Sequence, residues 1–300
     1  MSFDAVLIAG PTASGKSAAA LALAEQIGGV IVNADSMQVY AEPRILTARP
    51  SDADMRAAPH LLYGHVSARE AYSMGRYQRD VADALKQARE MKRIPIITGG
   101  TAMYFGALTD GIAEVPQVPA EVRAMAAERR KELGVEKFFA ELAARDPESG
   151  ARLRASDTQR TLRAWEVVEA TGKPLSYWHT QSGKSALEGL RLAKFVLSPD
   201  RAELHRRIDG RFVAMLEQGA VDEAGGLADL DAALPSAKLV GLRELLAARA
   251  GEISIEEAIT RAQAATRQYA KRQLTWFRNR MKDWTHTTCL APTDVGKRAG

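Results

Sequence analysis

The sequence predicts an α/β protein: a P-loop NTPase-like parallel-sheet core with an all-helical domain inserted into it. Three observations lead there. Residues 10–17 read GPTASGKS, which fits G-x-x-x-x-G-K-[ST] with Gly10, Gly15, Lys16 and Ser17 in the defining positions. Short apolar runs alternate with helical patterns on either side of that loop. Between residues 116 and 190 the alternation stops, and only helical spacing remains.

AVLIA, Ala5–Ala9, reads as a strand buried on both faces, as in a parallel sheet. The phosphate loop follows at once. Residues 17–26 are rich in Ala and Leu and predict a helix, ended by Gly28 and Gly29. VIVNA, 30–34, is a second strand and closes a βαβ unit. A helix over about 75–91 leads to a third strand, 94–98, which ends at Gly99-Gly100-Thr101, and 193–197 gives a fourth. Such alternation implies right-handed crossovers in a parallel sheet. In the insertion, residues 120–132, 135–145 and 157–171 show helical spacing, with Leu162, Trp165, Val167 and Val168 along one face of the last. From Pro199 onward the pattern is helical again, apart from a polar loop near 229–236. The expected domains are 1–115 with 191–300 as the α/β core with basic C-terminal helices, and 116–190 as the insertion.

The chain has 300 residues, 46% hydrophobic and 26% charged, enough for one large domain or two unequal ones with a substantial core. Its formal charge of +4, from 41 basic and 37 acidic residues, is a mild hint of an anionic partner. A lone cysteine, Cys289, excludes an internal disulfide and a Cys-based metal site and fits a reduced, cytoplasmic setting. The first residues lack the features of a signal peptide, and no apolar run approaches the ~20 residues that span a bilayer, so no membrane partner is expected. No exposed heptad or dimer stripe stands out, and a monomer is expected. The five histidines are scattered without metal-ligand spacing, and no Ser/His/Asp hydrolase elbow is present.

In a loop of the GPTASGKS kind, backbone N–H groups face phosphate oxygens and the helix dipole favours negative charge. The candidate phosphate ligands are Gly10, Pro11, Thr12, Ala13, Ser14, Gly15, Lys16 and Ser17. Lys16 would reach the outer oxygens and Ser17 would bind Mg²⁺. Asp35 ends the second strand beside the expected ligand crevice and could be a metal ligand or a general base; a plain helix N-cap is the alternative. Gly99-Gly100-Thr101 allows close backbone approach and supplies a hydroxyl, or is simply a tight turn.

Residues 261–282 carry Arg261, Arg267, Lys271, Arg272, Arg278, Arg280 and Lys282 and no acid. Arg267, Lys271 and Arg278 share one helical face, with Tyr269, Trp276 and Phe277 interleaved. This could track a nucleic-acid backbone and offer stacking, or be a solvated basic face whose aromatics point inward. Asp157 is a credible N-cap of a helix whose first turns present Gln159, Arg160 and Arg163. Arg206, Arg207 and Arg211 cluster later, and Arg211 suits a diphosphate if its helix faces the crevice.

Six segments, in order, carry a resemblance: GPTASGKS (10–17), NADSMQVY (33–40), PIITGGTAMYF (95–105), DTQRTLRAWEVVEATGKPLS (157–176), RIDGRFVAMLEQG (207–219) and RQYAKRQLTWFR (267–278). Together they resemble the bacterial-type tRNA dimethylallyltransferases, or tRNA isopentenyltransferases. The resemblance implies that the loop holds the diphosphate of dimethylallyl diphosphate with Mg²⁺ and that no phosphoryl group moves. The five-carbon allyl group would go to the exocyclic N6 amine of the adenosine immediately 3′ of a tRNA anticodon. It implies Asp35 as general base, and Thr101 and Arg211 as groups that handle the diphosphate or its bridging oxygen. It implies target-adenosine contacts from Asp35, Ser36, Met37, Gln38 and Thr101. Further tRNA contacts would come from Arg123, Gln159, Arg160, Thr161, Leu162 and Arg163 in an insertion that clamps the anticodon stem-loop, and from Lys271 and Arg278. Residues 45–50, Ile-Leu-Thr-Ala-Arg-Pro, differ from a Gly-Thr-Ala-Lys-Pro-like segment of many members, keeping its charge with Arg for Lys. Leu61-Leu62-Tyr63-Gly64-His65-Val66 also departs from the usual pattern, and the zinc-finger tail of eukaryotic relatives has no counterpart. Two rivals remain: a small-molecule kinase, which would consume ATP, and a prenyltransferase of free AMP or ADP, which would need neither the insertion nor the basic helix.

Overall fold

A computed structural model describes residues 3–298, apart from 112, 114, 182 and 184; Met1 and Ser2 of the leader reading lie outside it. Among the described residues, six strands form one sheet: β1 (Ala5–Ala9), β2 (Val30–Asn33), β3 (His60–Leu61), β4 (Pro95–Gly99), β5 (Leu192–Leu197) and β6 (Thr285–Thr287). Their order is β3-β2-β4-β1-β5-β6, and every pairing is parallel. The helices are α1 (Lys16–Ile27), α2 (Asp52–Ala57), α3 (Met74–Glu90), α4 (Ala102–Thr109), α5 (Ala120–Arg145), α6 (Pro147–Arg152), α7 (Thr158–Thr171), α8 (Leu175–His179), α9 (Arg201–Glu217), α10 (Ala220–Gly225), α11 (Leu242–Arg249), α12 (Ile255–Arg280) and α13 (Pro292–Arg298).

The central strands are apolar throughout because both faces are covered. Side chains alternate between the faces. Ala5, Leu7 and Ala9 join Val32, Ile97 and Val196 in a large core with Tyr77, Phe105, Phe212 and Phe277. Val6 and Ile8 join Ile31, Ile96 and Phe195 in a second core under Leu23 of α1 and Val295 of α13. The four expected strands and the helices after the first and before the third are all present, with ends shifted by a residue or two. β3 and β6 were not foreseen, and β6 corrects the expectation of an all-helical chain after Pro199. Each is two or three residues long at a sheet edge, held by pairing with β2 or β5 rather than by an apolar pattern of its own.

By contacts the chain divides into two units, one made of the chain up to Leu108 and from Ala186, the other of Thr109–Ser185. The second unit is helical. α5 is interrupted at Gly134, where φ is 74° and ψ 172°, which separates the two helices expected there. Its own core joins Ala126, Phe138 and Leu142 to Ala164 and Trp165. Asp146 is buried at the end of α5 and accepts from the Ser149 N–H and hydroxyl at 3.0 and 2.6 Å, and from the Leu175 N–H at 3.1 Å. Asp157 sits at the start of α7, but its side chain makes no cap bond and instead accepts from Arg160 at 3.1 Å. Among the described residues, no helix is long and apolar enough to cross a membrane.

Candidate active site

The C-terminal ends of β1, β2 and β4 meet the N-terminus of α1, where a parallel sheet leaves its ligand crevice. Close packing dictates the glycines. A Cβ on Gly10 would stand 2.6 Å from the Ser14 hydroxyl oxygen and 3.0 Å from the Leu197 carbonyl. Gly15 caps α1 at φ 88°, a left-handed conformation that costs glycine little. The first N–H groups of α1 have no partner inside the helix, which suits an anion.

Three cations gather here. Lys16 donates to the Pro11 carbonyl at 3.2 Å. Burial pushes its pKa down to about 8, against the pull of Asp35 and with the help of Arg211. Arg211, from α9, donates to the Thr12 hydroxyl at 2.5 Å, and burial lowers its pKa too, with Asp35 opposing. Arg207 reaches the Ser14 carbonyl at 3.5 Å and pairs with Glu203 at 2.6 Å. Thr12 to Ala18, Asp35, Gln38, Thr47, Ala48, Arg207 and Arg211 line a cavity of about 330 Å³. Beside it lies a narrow slot of about 70 Å³ that shares Thr12, Asp35, Thr47 and Arg211 but is otherwise walled mainly by Met37, Leu46, Ile208, Phe212, Met215, Leu239, Val240 and Tyr269. An anion cavity and an apolar slot thus meet at Asp35 and Arg211.

Asp35 is set rigidly. Its N–H donates to the Asn33 side-chain oxygen at 2.8 Å, and the Asn33 amide donates back to the Asp35 carbonyl at 2.9 Å and to the Leu62 carbonyl at 3.0 Å. Asn33 is 0% exposed. One Asp35 carboxylate oxygen accepts the Met37 N–H at 3.0 Å. That is a local Asx-type turn; no helix starts there, so the N-cap alternative is excluded. Burial, and after it the Asp35 charge, raises the pKa values of Tyr63, Tyr104 and Tyr269.

A family model described as IPP transferase matches residues 38–280. The chain belongs to the IPP transferase family. A tRNA dimethylallyltransferase of Allorhizobium ampelinum is 50% identical over 283 residues, which cover 94% of this chain and 93% of that one. One of Dinoroseobacter shibae is 51% identical over 281 residues, 93% of each. Among solved structures, the full-length tRNA isopentenylpyrophosphate transferase of Bacillus halodurans matches with a TM-score of 0.68 and 28% identity, over 99% of this chain and 94% of that one. A eukaryotic dimethylallyltransferase captured acting on tRNA gives 0.79 at 25% identity, over 98% and 75%. The expected family and its phosphate-loop α/β core are therefore both borne out, and the chain is a transferase.

The other expected site residues of this IPP transferase fall in different places. Thr101 accepts from the Ser36 N–H at 2.8 Å and donates to the Ser36 hydroxyl at 3.1 Å. It lines neither cavity. Gln38 borders the anion cavity, yet its amide donates to the Thr47 and Ala48 carbonyls at 2.8 and 3.0 Å. Ser17 is exposed at the head of α1 and shares the cavity with the Asp35 carboxylate. Both offer hard oxygen donors that suit Mg²⁺. Among the described residues no group of three or more His, Cys, Asp or Glu could hold a metal, so a cation there would depend on substrate oxygens and water for its other ligands.

On α12, Arg267 is paired with Asp209 at 2.5 Å, whereas Lys271 and Arg278 are exposed and have no ion-pair partner among the described residues. Phe277 points into the core, and Arg272 lies 5.8 Å from the centre of the half-buried Tyr269 ring. In the second unit, Gln159 and Arg160 are exposed, Arg123 donates to the Val118 carbonyl at 2.9 Å, and Arg163 is half-buried beside Glu166. Thr161 is only 1% exposed and donates to the Asp157 carbonyl at 2.9 Å; Leu162 packs on the Trp165 cluster. The inward stripe of α7 runs through both: Leu162 lies on the apolar face expected of it, and Thr161, expected among the tRNA contacts, is turned inward.

Gln273 was missed in the sequence. It is 5% exposed on α12, accepts the Thr12 N–H at 3.0 Å and donates to the Gly100 carbonyl at 2.8 Å, so it ties the phosphate loop to the end of β4. A signal existed: Gln273 falls in the buried register of Thr266, Ala270 and Phe277, where an amide requires partners.

The position of Lys16 gives a pH prediction. Its depressed pKa means that the charge is present below about 8 and lost as pH rises through that value. Affinity for inorganic diphosphate, measured by calorimetry, should fall above pH 8, with proton uptake on binding. Lys16→Met should bind more weakly and lose that dependence; an unchanged pH profile in the variant would contradict the assignment.

Proposed function

We propose that this IPP transferase moves the dimethylallyl group of dimethylallyl diphosphate to the exocyclic N6 amine of the adenosine immediately 3′ of the anticodon in tRNA. The observation that supports this best is the meeting of an anion cavity with an apolar slot at Asp35 and Arg211. A diphosphate ester of a short hydrocarbon has that division, and its reacting carbon lies at the junction. The amine nitrogen attacks the allylic carbon, the carbon–oxygen bond breaks, and its electron pair leaves with diphosphate. Asp35 takes the proton from nitrogen. Lys16, Arg211 and the phosphate-loop amides stabilise the leaving charge, and Arg211 attends the bridging oxygen, while Thr101 acts at one remove by holding Ser36 beside Asp35. Bound Mg²⁺, held in part by Ser17, would supply further charge neutralisation on the diphosphate. The apolar walls keep water from an allylic centre with cation character.

The adenine must leave its stack to reach this site. Ser36, Met37 and Gln38 are its contacts in this reading. Lys271 and Arg278, exposed and without an ion-pair partner among the described residues, take tRNA phosphates, and Arg123, Gln159, Arg160 and Arg163 of the helical insertion clamp the anticodon stem-loop. We read the enzyme as a cytoplasmic monomer. The test is incubation with Mg²⁺, dimethylallyl diphosphate and unmodified tRNA, followed by digestion and mass measurement of the nucleosides. The expected product is an adenosine carrying one dimethylallyl group, formed without ATP. Transfer only to free AMP or ADP would exclude tRNA as substrate, and ATP consumption without transfer would favour a kinase.

A further inference from the structure

Residues 42–50 belong to no helix or strand, yet they form a wall of both cavities. Leu46 and Thr47 line the apolar slot, and Thr47 and Ala48 line the anion cavity. Their placement depends on a residue far away in sequence. Glu223, on α10, accepts the Arg44 N–H at 2.8 Å and the Ile45 N–H at 2.7 Å on one carboxylate oxygen, and the Leu46 N–H at 2.8 Å on the other. Gln38 holds the next two residues from the opposite polarity, through the Thr47 and Ala48 carbonyls. Two side chains therefore fix the backbone of five consecutive residues, one as an anionic acceptor and one as an amide donor.

Three converging N–H groups need an acceptor with no hydrogen of its own. A carboxylate meets that need, and its charge strengthens each bond. An amide of the same shape would turn an NH₂ toward at least one N–H. Ala220 and Ala224 are fully buried, which anchors α10 and leaves Glu223 at a fixed distance from the loop.

We propose that Glu223 is a positioning residue for the allyl diphosphate: it holds residues 44–46 so that Leu46 and Thr47 close the slot around the hydrocarbon. This rests on the proposed substrate. Glu223 touches no reacting atom and acts through the loop alone, so its loss should appear in the affinity for one substrate and not the other.

The experiment compares the full-length protein with Glu223→Gln, Glu223→Asp and, as a control, Asp222→Asn, whose side chain is 90% exposed and pairs with Arg249. Hydrogen exchange is followed at the amides of 44–46, and KM is measured for each substrate. In Glu223→Gln, exchange at those amides should accelerate at least about tenfold, and KM for dimethylallyl diphosphate should rise by about tenfold, the loss of a charged hydrogen bond. KM for tRNA and kcat should stay within about twofold of the wild type by the same reasoning. Glu223→Asp keeps the charge and should fall between the two, and Asp222→Asn should match the wild type. Unchanged exchange in Glu223→Gln would overturn the clamp. Fast exchange with an unchanged KM for dimethylallyl diphosphate would overturn the positioning role. If Glu223→Gln does not fold, the folded Glu223→Asp variant decides by the same two criteria. Absence of transfer by the wild-type protein would count against the proposed reaction, while exchange would still uphold or overturn the clamp.

Discussion

Asp35→Asn should lower the rate of allyl transfer to tRNA by about 10²–10⁴-fold, the usual contribution of a positioned general base. The substitution keeps the shape. The Asn side-chain oxygen can still accept the Met37 N–H, and the backbone bonds to Asn33 do not involve the altered atoms. What disappears is the carboxylate at the junction of the cavities, the proton acceptor of the proposed reaction. The Asp35 charge also raises the pKa values of Lys16 and Arg211. Its removal therefore lowers Lys16 below its present value of about 8, and the variant should bind diphosphate more weakly at alkaline pH. A single-turnover assay at pH 7 with saturating dimethylallyl diphosphate separates the two effects, because there the loss is in the chemical step. Retention of the wild-type rate under those conditions would remove Asp35 from the role of base.

The parts of this site that were legible in the sequence are local. The phosphate loop announces itself because strand, glycines, Lys16 and helix follow one another within a dozen or so residues, and Asp35 follows from its place at a strand end. The contacts that arrange these groups are long-range and leave little pattern. Gln273 is 261 residues from the Thr12 N–H that it accepts. Glu223 is 178 residues from Ile45 and reads in sequence as one more acid on a short helix. The edge strands β3 and β6 share the difficulty, since two or three residues carry no period and exist only through pairing. Thr161 fails for another reason: a helix buries one stripe, and its phase decides which polar residues face outward. The roles proposed for Asp35 and Arg211 come from the resemblance to a family; the packing shows what holds them.

The ends of β2 and β4 press together at Gly99. A Cβ on Gly99 would stand 2.0 Å from the Ala34 oxygen and 2.1 Å from its carbonyl carbon. These are backbone atoms and cannot rotate away. The Ala34 carbonyl accepts the Thr101 N–H at 3.1 Å, the Ala34 N–H donates to Thr98 at 2.8 Å, and the Gly99 carbonyl accepts the Gly10 N–H at 3.3 Å. Forcing β4 from β2 at this point therefore moves the phosphate loop, the segment that carries Asp35 and the start of α4 together. Gly99→Ala should cost at least about 3 kcal/mol, the upper end for overpacking. In whatever fraction folds, transfer should fall by about 10²-fold, since a displacement near 1 Å is enough for that loss. Gly100→Ala is the informative neighbour. Its Cβ would meet the Gln273 amide at 2.4 Å and an Asp35 carboxylate oxygen at 3.2 Å, both ends of side chains that can shift. It should be the more stable of the two, yet lose activity by disturbing Asp35 and the Gln273 bridge. Gly75→Ala, with nothing within 4 Å, should leave activity unchanged and stability equal or slightly raised. Thermal and urea unfolding of the three variants gives the order. A Gly99→Ala protein as stable as Gly75→Ala would mean that the ends of β2 and β4 do not press together, and the account of how Asp35 is held beside the phosphate loop would fall with it.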